Sequence, residues 1–362
     1  MKYKIDKHTH PIYLQIYNQL KDDIVKGNYP YNTKLPSKRL LAEETETSII
    51  TVEHAYSLLC DEGYVEARER SGFFVVFRNS DGFVLPSRAA KYSTEMSKKQ
   101  YTGPDFPFSV LAKTMRAVIS DYGGEILKKS PNKGCIELRH ALRQYLAKNR
   151  GIVVGIEQII IGSGAEYLYG LIIELLGRKC VYGIESPSYE QIRQVYHAYE
   201  VACEELPLSA DGIESAALSH TGADILHTTP YRSFPSGVTA SASKRHEYIS
   251  WAGTRNRFII EDDFESEFSV SSKPEDTLFA LSNADNIIYL NTFSKTISAS
   301  LRVGYMVLPE KLVEKFDANL GFYSCTVPTF EQLVLTQLLE NGDFERHINR
   351  VRRHKRKAEM QN

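Results

Sequence analysis

The sequence predicts an α/β protein: a small helical head closed by one β-hairpin, then a large body built on a mainly parallel sheet. Three observations carry this. Over the first 78 residues apolar positions recur at helical spacing in three runs, then give way to two short strand-like runs around a glycine turn. From about residue 102 strand-like and helical segments alternate, the pattern of a parallel sheet with crossover helices. Between them residues 79–101 are polar and aperiodic, as a linker is. A length of 362 residues suits two units of unequal size, and 25% charged with 42% hydrophobic residues is the composition of a well-cored globular chain.

In the head, Ile12, Ile16, Leu20 and Ile24 recur every four residues beside Tyr13 and Tyr17, an amphipathic helix stopped at Gly27. Pro36-Ser37 sets the start of a second helix, with Ser37 as N-cap and Leu40, Leu41 and Ala42 as its apolar side. Ser48 caps a third, whose inward face is Val52, Ala55, Tyr56 and Leu59 and which ends at Asp61-Glu62-Gly63. Runs 64–67 and 73–76 flank Glu69-Arg70-Ser71-Gly72 as a hairpin. Three helices and a hairpin in this order are the layout of a winged helix-turn-helix. Lys38, Arg39, Arg68 and Arg70 are the candidates for nucleic-acid phosphates. Over residues 1–78, however, eleven Lys or Arg meet eleven Asp or Glu, and Ile49-Ile50 follow Ser48. Weak or differently tuned DNA affinity is therefore expected, with a docking module as the alternative.

In the body, strands are expected at 158–161, 201–205, 225–228, 258–262, 287–290 and 303–308, and helices over 165–176 and 244–256. Ligands of open α/β sheets sit beyond the carboxyl ends of strands. There the sequence places Gly162-Ser163-Gly164-Ala165-Glu166 opening a helix, a turn suited to phosphate but weak evidence alone. The other strand ends carry the proline-bracketed loop from Pro230 to Gly237, the acids Glu261-Asp262-Asp263, and Asn291-Thr292-Phe293-Ser294-Lys295 followed by Arg302. A phosphate cradle, an acid and a lysine at neighbouring strand ends match what pyridoxal phosphate requires: an amine for an imine, a carboxylate on the ring nitrogen and donors for the phosphate.

Several classes are excluded. No window approaches about 18 uninterrupted apolar residues, the richest stretch, 167–177, containing Glu174, so no membrane span is expected. The first ten residues, with four charges and two histidines, lack the apolar run of a secretory signal, which places the protein in the cytoplasm. Five cysteines without a CxxC pair argue against a disulfide framework and a metal site, and read as small buried hydrophobes. A net charge of −1 gives no global attraction to polyanions, so any DNA contact is local.

The residues also resemble a known family. Pro11-Ile12-Tyr13, Leu35-Pro36-Ser37 with Arg39-Leu40-Leu41-Ala42, Thr51-Val52 with Ala55-Tyr56, Glu62-Gly63-Tyr64 and Ser71-Gly72 resemble the DNA-binding module of GntR-type regulators. Thr292-Phe293-Ser294-Lys295-Thr296 with Arg302-Val303-Gly304-Tyr305, and the segment from Ile260 to Phe268, resemble the lysine and acid segments of fold-type I aminotransferases. Together they resemble the MocR/GabR subfamily, in which such a head is fused to an aminotransferase-like body. The resemblance implies a winged helix-turn-helix over 1–78, a linker over 79–101 and a body that binds pyridoxal 5'-phosphate over 102–362. It implies Lys295 as the internal aldimine lysine, Asp262 at the ring nitrogen with Asp263 as the alternative, and Gly164, Ala165, Thr292 and Arg302 at the phosphate. Tyr189 would stack on the ring or serve as a core tyrosine. In the head it adds Ser48 and Thr51 to the DNA-binding set. It further implies double-stranded DNA and an amine or amino-acid effector as partners, and a head-to-tail homodimer.

Departures from the family pattern shape the functional expectation. Phe264 stands where a tyrosine tuning the imine is usual, Glu166 replaces glutamine, and Arg232-Ser233 replace His-Gln. Only 67 residues follow Lys295, so most of the C-terminal small domain, with its carboxylate-binding arginine, is expected to be missing. The basic run from Arg346 to Lys357 reads as the helix leading into it, or alternatively as a helix for DNA or acidic partners. The leading reading is a DNA-binding regulator that senses an amine at Lys295 without efficient transaminase turnover. The rivals are an active aminotransferase and a truncated product that binds neither cofactor nor operator.

Overall fold

The computed structural model describes residues 3, 5–6, 11–69, 71–77, 106–255, 257–269 and 276–359. The linker over 79–101 lies outside them, as does Arg70. The chain divides into two compact units, Met1–Lys99 and Gln100–Asn362.

In the first unit, α1 (Ile12–Val25), α2 (Lys38–Glu44) and α3 (Ile49–Asp61) precede the antiparallel hairpin of β1 (Val65–Arg68) and β2 (Gly72–Val75). The Ser37 and Ser48 side chains accept hydrogen bonds from the amides of Leu40 and Thr51, caps worth about 1 kcal/mol each. Val52, Ala55, Tyr56 and Leu59 are fully buried against Ile16, Leu20 and Ile24 of α1 and Leu41 of α2. Tyr56 donates its hydroxyl to the Pro36 carbonyl at 2.8 Å, tying α3 to the turn before α2. The hairpin strands are each displaced by one residue from the expected runs. Tyr64 donates its amide back to Leu59 O at 2.9 Å to finish α3 while its carbonyl accepts from Val76 N at 3.0 Å, and the strand register begins at Val65 opposite Val75.

The second unit begins with α4 (Phe108–Tyr122) and α5 (Ile136–Arg150), then continues through β3 (Ile159–Gly162), α6 (Ala165–Leu176), β4 (Val181–Ser186), α7 (Glu190–Ala198), β5 (Ala202–Ser209) and β6 (Gly212–Ile213). It is completed by α8 (Ser215–His220), β7 (Ile225–Thr228), α9 (Ala242–Ala252), β8 (Phe258–Asp262), α10 (Leu278–Leu281), β9 (Ile287–Thr292), β10 (Gly304–Val307), α11 (Glu310–Leu320), α12 (Thr329–Glu340) and α13 (Asp343–Glu359). Among the described residues these strands form an eight-stranded sheet in the order β3-β10-β9-β8-β7-β4-β5-β6. Neighbours from β9 to β5 pair in parallel, whereas β10 runs antiparallel to both β9 and β3.

Strand residues alternate between two covered faces. Ile159, Ile161, Tyr289 and Tyr305 pack in one cluster with α5 and α12, while Ile160, Leu290 and Met306 pack in another with α6 and α11. That double burial is why the strands read as nearly continuous apolar runs. Two strands were not expected from sequence, β4 and β6. Gly183 interrupts the apolar run of β4 at a tight spot, where a Cβ would lie 3.1 Å from both the Ala223 and Leu206 side chains. The cysteine reading holds only for Cys135; Cys203 is exposed and the other three are half-buried. α13 is no free basic arm, since Phe344, Ile348 and Val351 are buried in the body.

Topology gathers the strand ends. With β10 antiparallel to both neighbours, β3 and β9 point the same way, and Gly304 stands between Gly162 and Thr292, the last residues of those strands. Asp262 ends β8 at the same edge, opposite Leu290 of β9.

Candidate functional site

At that carboxyl edge lies a cleft of about 280 Å³. Its wall includes Ala165, Tyr189, Asp262, Thr292, Lys295 and Arg302, six of the seven residues expected to hold a cofactor. The seventh, Gly164, caps α6 at a φ of +101°, and a Cβ there would lie 2.9 Å from Arg302 Nη2. Glycine thus lets the guanidinium lie directly against the turn.

Three consecutive acids have three different fates, set by strand alternation and then by the chain leaving the sheet. Glu261 is buried on one face and accepts the amides of Leu278 and Phe279 at the start of α10, at 2.8 and 2.9 Å. Burial raises its pKa to about 7 despite those bonds. Asp262 faces the cleft at 2% exposure. Its Oδ2 accepts from the Tyr169 hydroxyl and lies 3.6 Å from His227 Nε2, whose Nδ1 meets the Tyr196 hydroxyl at 2.6 Å. Its Oδ1 is buried with no hydrogen-bond partner among the described residues. Asp263 turns away, into a buried ion pair with Arg150 and a 2.7 Å bond from the Tyr289 hydroxyl. Of the two aspartates weighed from sequence, only Asp262 lines the cleft.

Lys295 follows β9 by three residues. Its Nζ donates to Glu265 Oε1 at 2.6 Å and lies 4.0 Å from the centre of the Phe264 ring and 5.9 Å from that of Phe234. Arg302, held left-handed at a φ of +49°, donates from Nη2 to Glu166 Oε2 at 2.6 Å. The Tyr189 and Phe234 rings meet edge to face at 6.0 Å, so Tyr189 is a wall of the cleft rather than a fully buried core residue. Phe234 is presented by the loop after β7. Glu185, the fifth residue of β4, anchors that loop by accepting from the hydroxyls of Thr228 and Ser233 and, at 3.0 Å, from the amide of Thr229.

Sequence reasoning missed Tyr169, His227, Phe234 and Glu265. A signal existed for two of them: Tyr169 stands four residues after Ala165, hence on the same helix face, and His227 is a lone imidazole in an otherwise apolar strand.

In the head, Ser48 and Thr51 act as the cap of α3, their hydroxyls 2.7 Å apart. Lys38 is paired with Glu53 at 2.5 Å, and Arg68 with Glu66 at 2.6 Å while lying over the Phe74 ring. Arg39 is exposed and carries no ion pair among the described residues. Ile50, at the start of α3, is 77% exposed.

Residues 12–75 match the model of bacterial regulatory proteins of the gntR family, and residues 95–361 that of aminotransferase class I and II. Fold and matches define a transcriptional regulator with a DNA-binding helix-turn-helix head and an aminotransferase-like body. The chain belongs to the MocR/GabR subfamily of GntR-type regulators. It is 33% identical to the HTH-type transcriptional regulator YdeL of Bacillus subtilis (strain 168), over 96% of this chain and 77% of that one. It is 28% identical to the pyridoxine biosynthesis transcriptional regulator PdxR of Corynebacterium glutamicum, over 94% and 75%, and 26% identical to the probable rhizopine catabolism regulatory protein MocR of Rhizobium meliloti, over 95% and 74%. Among solved structures, the kynurenine aminotransferase of Pyrococcus horikoshii superposes with a TM-score of 0.62 at 26% identity, covering 69% of this chain and 65% of that enzyme's length. No helix among the described residues is long and apolar enough to cross a membrane.

Proposed function

We propose that the body binds pyridoxal 5'-phosphate and that the protein adjusts its grip on DNA in response to an amine or amino acid. The observation carrying this reading is the orphaned Asp262 Oδ1, buried at the wall of a cleft that also presents a lysine amine and an arginine beside a helix N-terminus. A buried carboxylate oxygen without a donor costs free energy, and a protonated ring nitrogen is a donor of the right charge. The Tyr169 hydroxyl holds the carboxylate in place through Oδ2, with His227 Nε2 3.6 Å away. Gly164, Ala165, Thr292 and Arg302 would take the phosphate, and Tyr189 would cover the ring. When bound, the cofactor supplies an electrophilic carbon that reacts reversibly with amines. Lys295 is the amine that would hold that carbon, exchangeable for an effector's. Phe264 and Phe234 bring no hydroxyl or amide to the cleft, which favours recognition over catalytic turnover.

The remaining parts of the reading follow the family. The head, over residues 1–78, would meet operator phosphates through Lys38, Arg39, Arg68 and Arg70, with the start of α3 in the groove. A homodimer in the cytoplasm would present two heads to two half-sites, and effector binding would shift the balance between conformations that grip them differently.

The full chain mixed with pyridoxal phosphate is expected to gain absorbance in the visible range, made permanent by borohydride. Lys295→Ala should lose the reducible adduct. An adduct of equal yield in that variant overturns the assignment.

A further inference from the structure

The phosphate seat contains a carboxylate of the chain's own. Glu166 stands in the first turn of α6, two residues beyond the Gly164 cap, and its Oε2 accepts from Arg302 Nη2 at 2.6 Å. The positive end of α6 and the arginine are the two features that make this turn attractive to an anion, and Glu166 uses both. The guanidinium is confined there, because its backbone is left-handed after a short turn and its head lies against Gly164. The pair is not locked, with side chains 35% and 52% exposed for Glu166 and Arg302, and exposed pairs of this kind are weak.

We propose that Glu166 competes with the cofactor's phosphate for Arg302, so that pyridoxal phosphate is held more loosely here and exchanges more readily than it would beside a neutral residue. This rests on the reading of the cleft as a pyridoxal phosphate site. A phosphate carries between one and two negative charges near neutral pH and displaces a single carboxylate. The displaced Glu166 nevertheless stays on the same helical turn, a like charge beside the bound anion. Affinity is lowered and release is faster than for the same site with a neutral side chain. A glutamine would keep a hydrogen-bonding group at the position and remove the repulsion. The competition acts on the phosphate alone, so a ligand with the same ring and aldehyde but no phosphate does not feel it.

The test is cofactor titration and release kinetics on the full chain, read by absorbance and by borohydride trapping, for wild type, Glu166→Gln and Glu166→Ala. Each is run with pyridoxal phosphate and with pyridoxal, at low and high salt. Both variants are expected to bind pyridoxal phosphate about tenfold more tightly and release it more slowly, with the gap narrowing at high salt and absent for pyridoxal. Equal or weaker binding of pyridoxal phosphate by both variants, with a normal wild-type adduct, overturns the role of Glu166 and leaves the cofactor site standing. An equal gain for pyridoxal also overturns it, because the effect is then not on the phosphate. No adduct in any of the three proteins overturns the cofactor reading itself.

Discussion

Asp262 and Asp263 are adjacent in sequence and occupy two different worlds. On the Asp263 side, the carboxylate, Arg150, Ser266 and Tyr289 form a buried network, with Glu267 nearby accepting from Asn291 at 2.7 Å. On the Asp262 side, the sheet edge opens into the cleft, whose cations Lys295 and Arg302 are held by partly exposed carboxylates. A buried pair gains its strength from the absence of water and cannot exchange cheaply, whereas an exposed pair can trade one partner for another. The first kind keeps the acid segment in place, and the second leaves the cleft able to bind.

The sharpest way to break this contrast is Arg150→Ala. It strands Asp263 in the interior and should cost about 3–5 kcal/mol in denaturant unfolding of the full chain. Asp262→Asn should do the reverse, weakening capture of pyridoxal phosphate about tenfold to a hundredfold in titration while changing the unfolding midpoint far less. A stability loss for Asp262→Asn matching that of Arg150→Ala would erase the distinction.

The pH dependence refines it. Burial raises the Glu185 carboxyl from 4.5 to about 7, against the lowering effect of the Ser233, Thr228 and Thr229 donors. The native state then keeps a proton that the unfolded chain has released, so this contribution to stability is full below pH 4.5 and is lost as pH rises to about 7. Glu185→Gln should flatten the decline across that window in unfolding measured at several pH values. Part of the slope persists, because Glu261 is shifted in the same direction. The smallest effect belongs to the head, where Lys38 and Glu53 form another exposed pair. Glu53→Gln should tighten DNA binding a few-fold and steepen its salt dependence in titration with DNA from an operator selected in vitro.

Legibility followed the physics of each feature. Helix faces and caps in the head were readable because a 3.6-residue period and serine caps are local signals, as Val52, Ala55, Tyr56 and Leu59 show. The cleft's cationic and acidic residues were readable because strand ends concentrate them in sequence. The pairs Lys295–Glu265 and Arg302–Glu166 were not, since the second joins residues 136 apart and depends on how two strands lie beside β10. β4 was missed because its glycine serves a close approach of β5 and Ala223, a demand made by the fold and invisible along the strand. The ion pairs of Lys38 and Arg68 were hidden for a different reason: charge counts give a balance and say nothing of which charges touch.

α6 links the two ends of the cleft with a single rigid rod. Ala165 lines the cleft at the start of the helix, and Tyr169, four residues on, donates its hydroxyl to the Asp262 carboxylate. Four residues of helix rise about 6 Å. On the proposed reading, one element thus sets the residue beside the phosphate and the residue that holds the ring-nitrogen carboxylate one helical turn apart. Inserting or deleting one residue in the first turn of α6 would rotate Tyr169 off the face it shares with Ala165, so on the proposed reading one helical turn would set the distance between the two charges a ligand must carry.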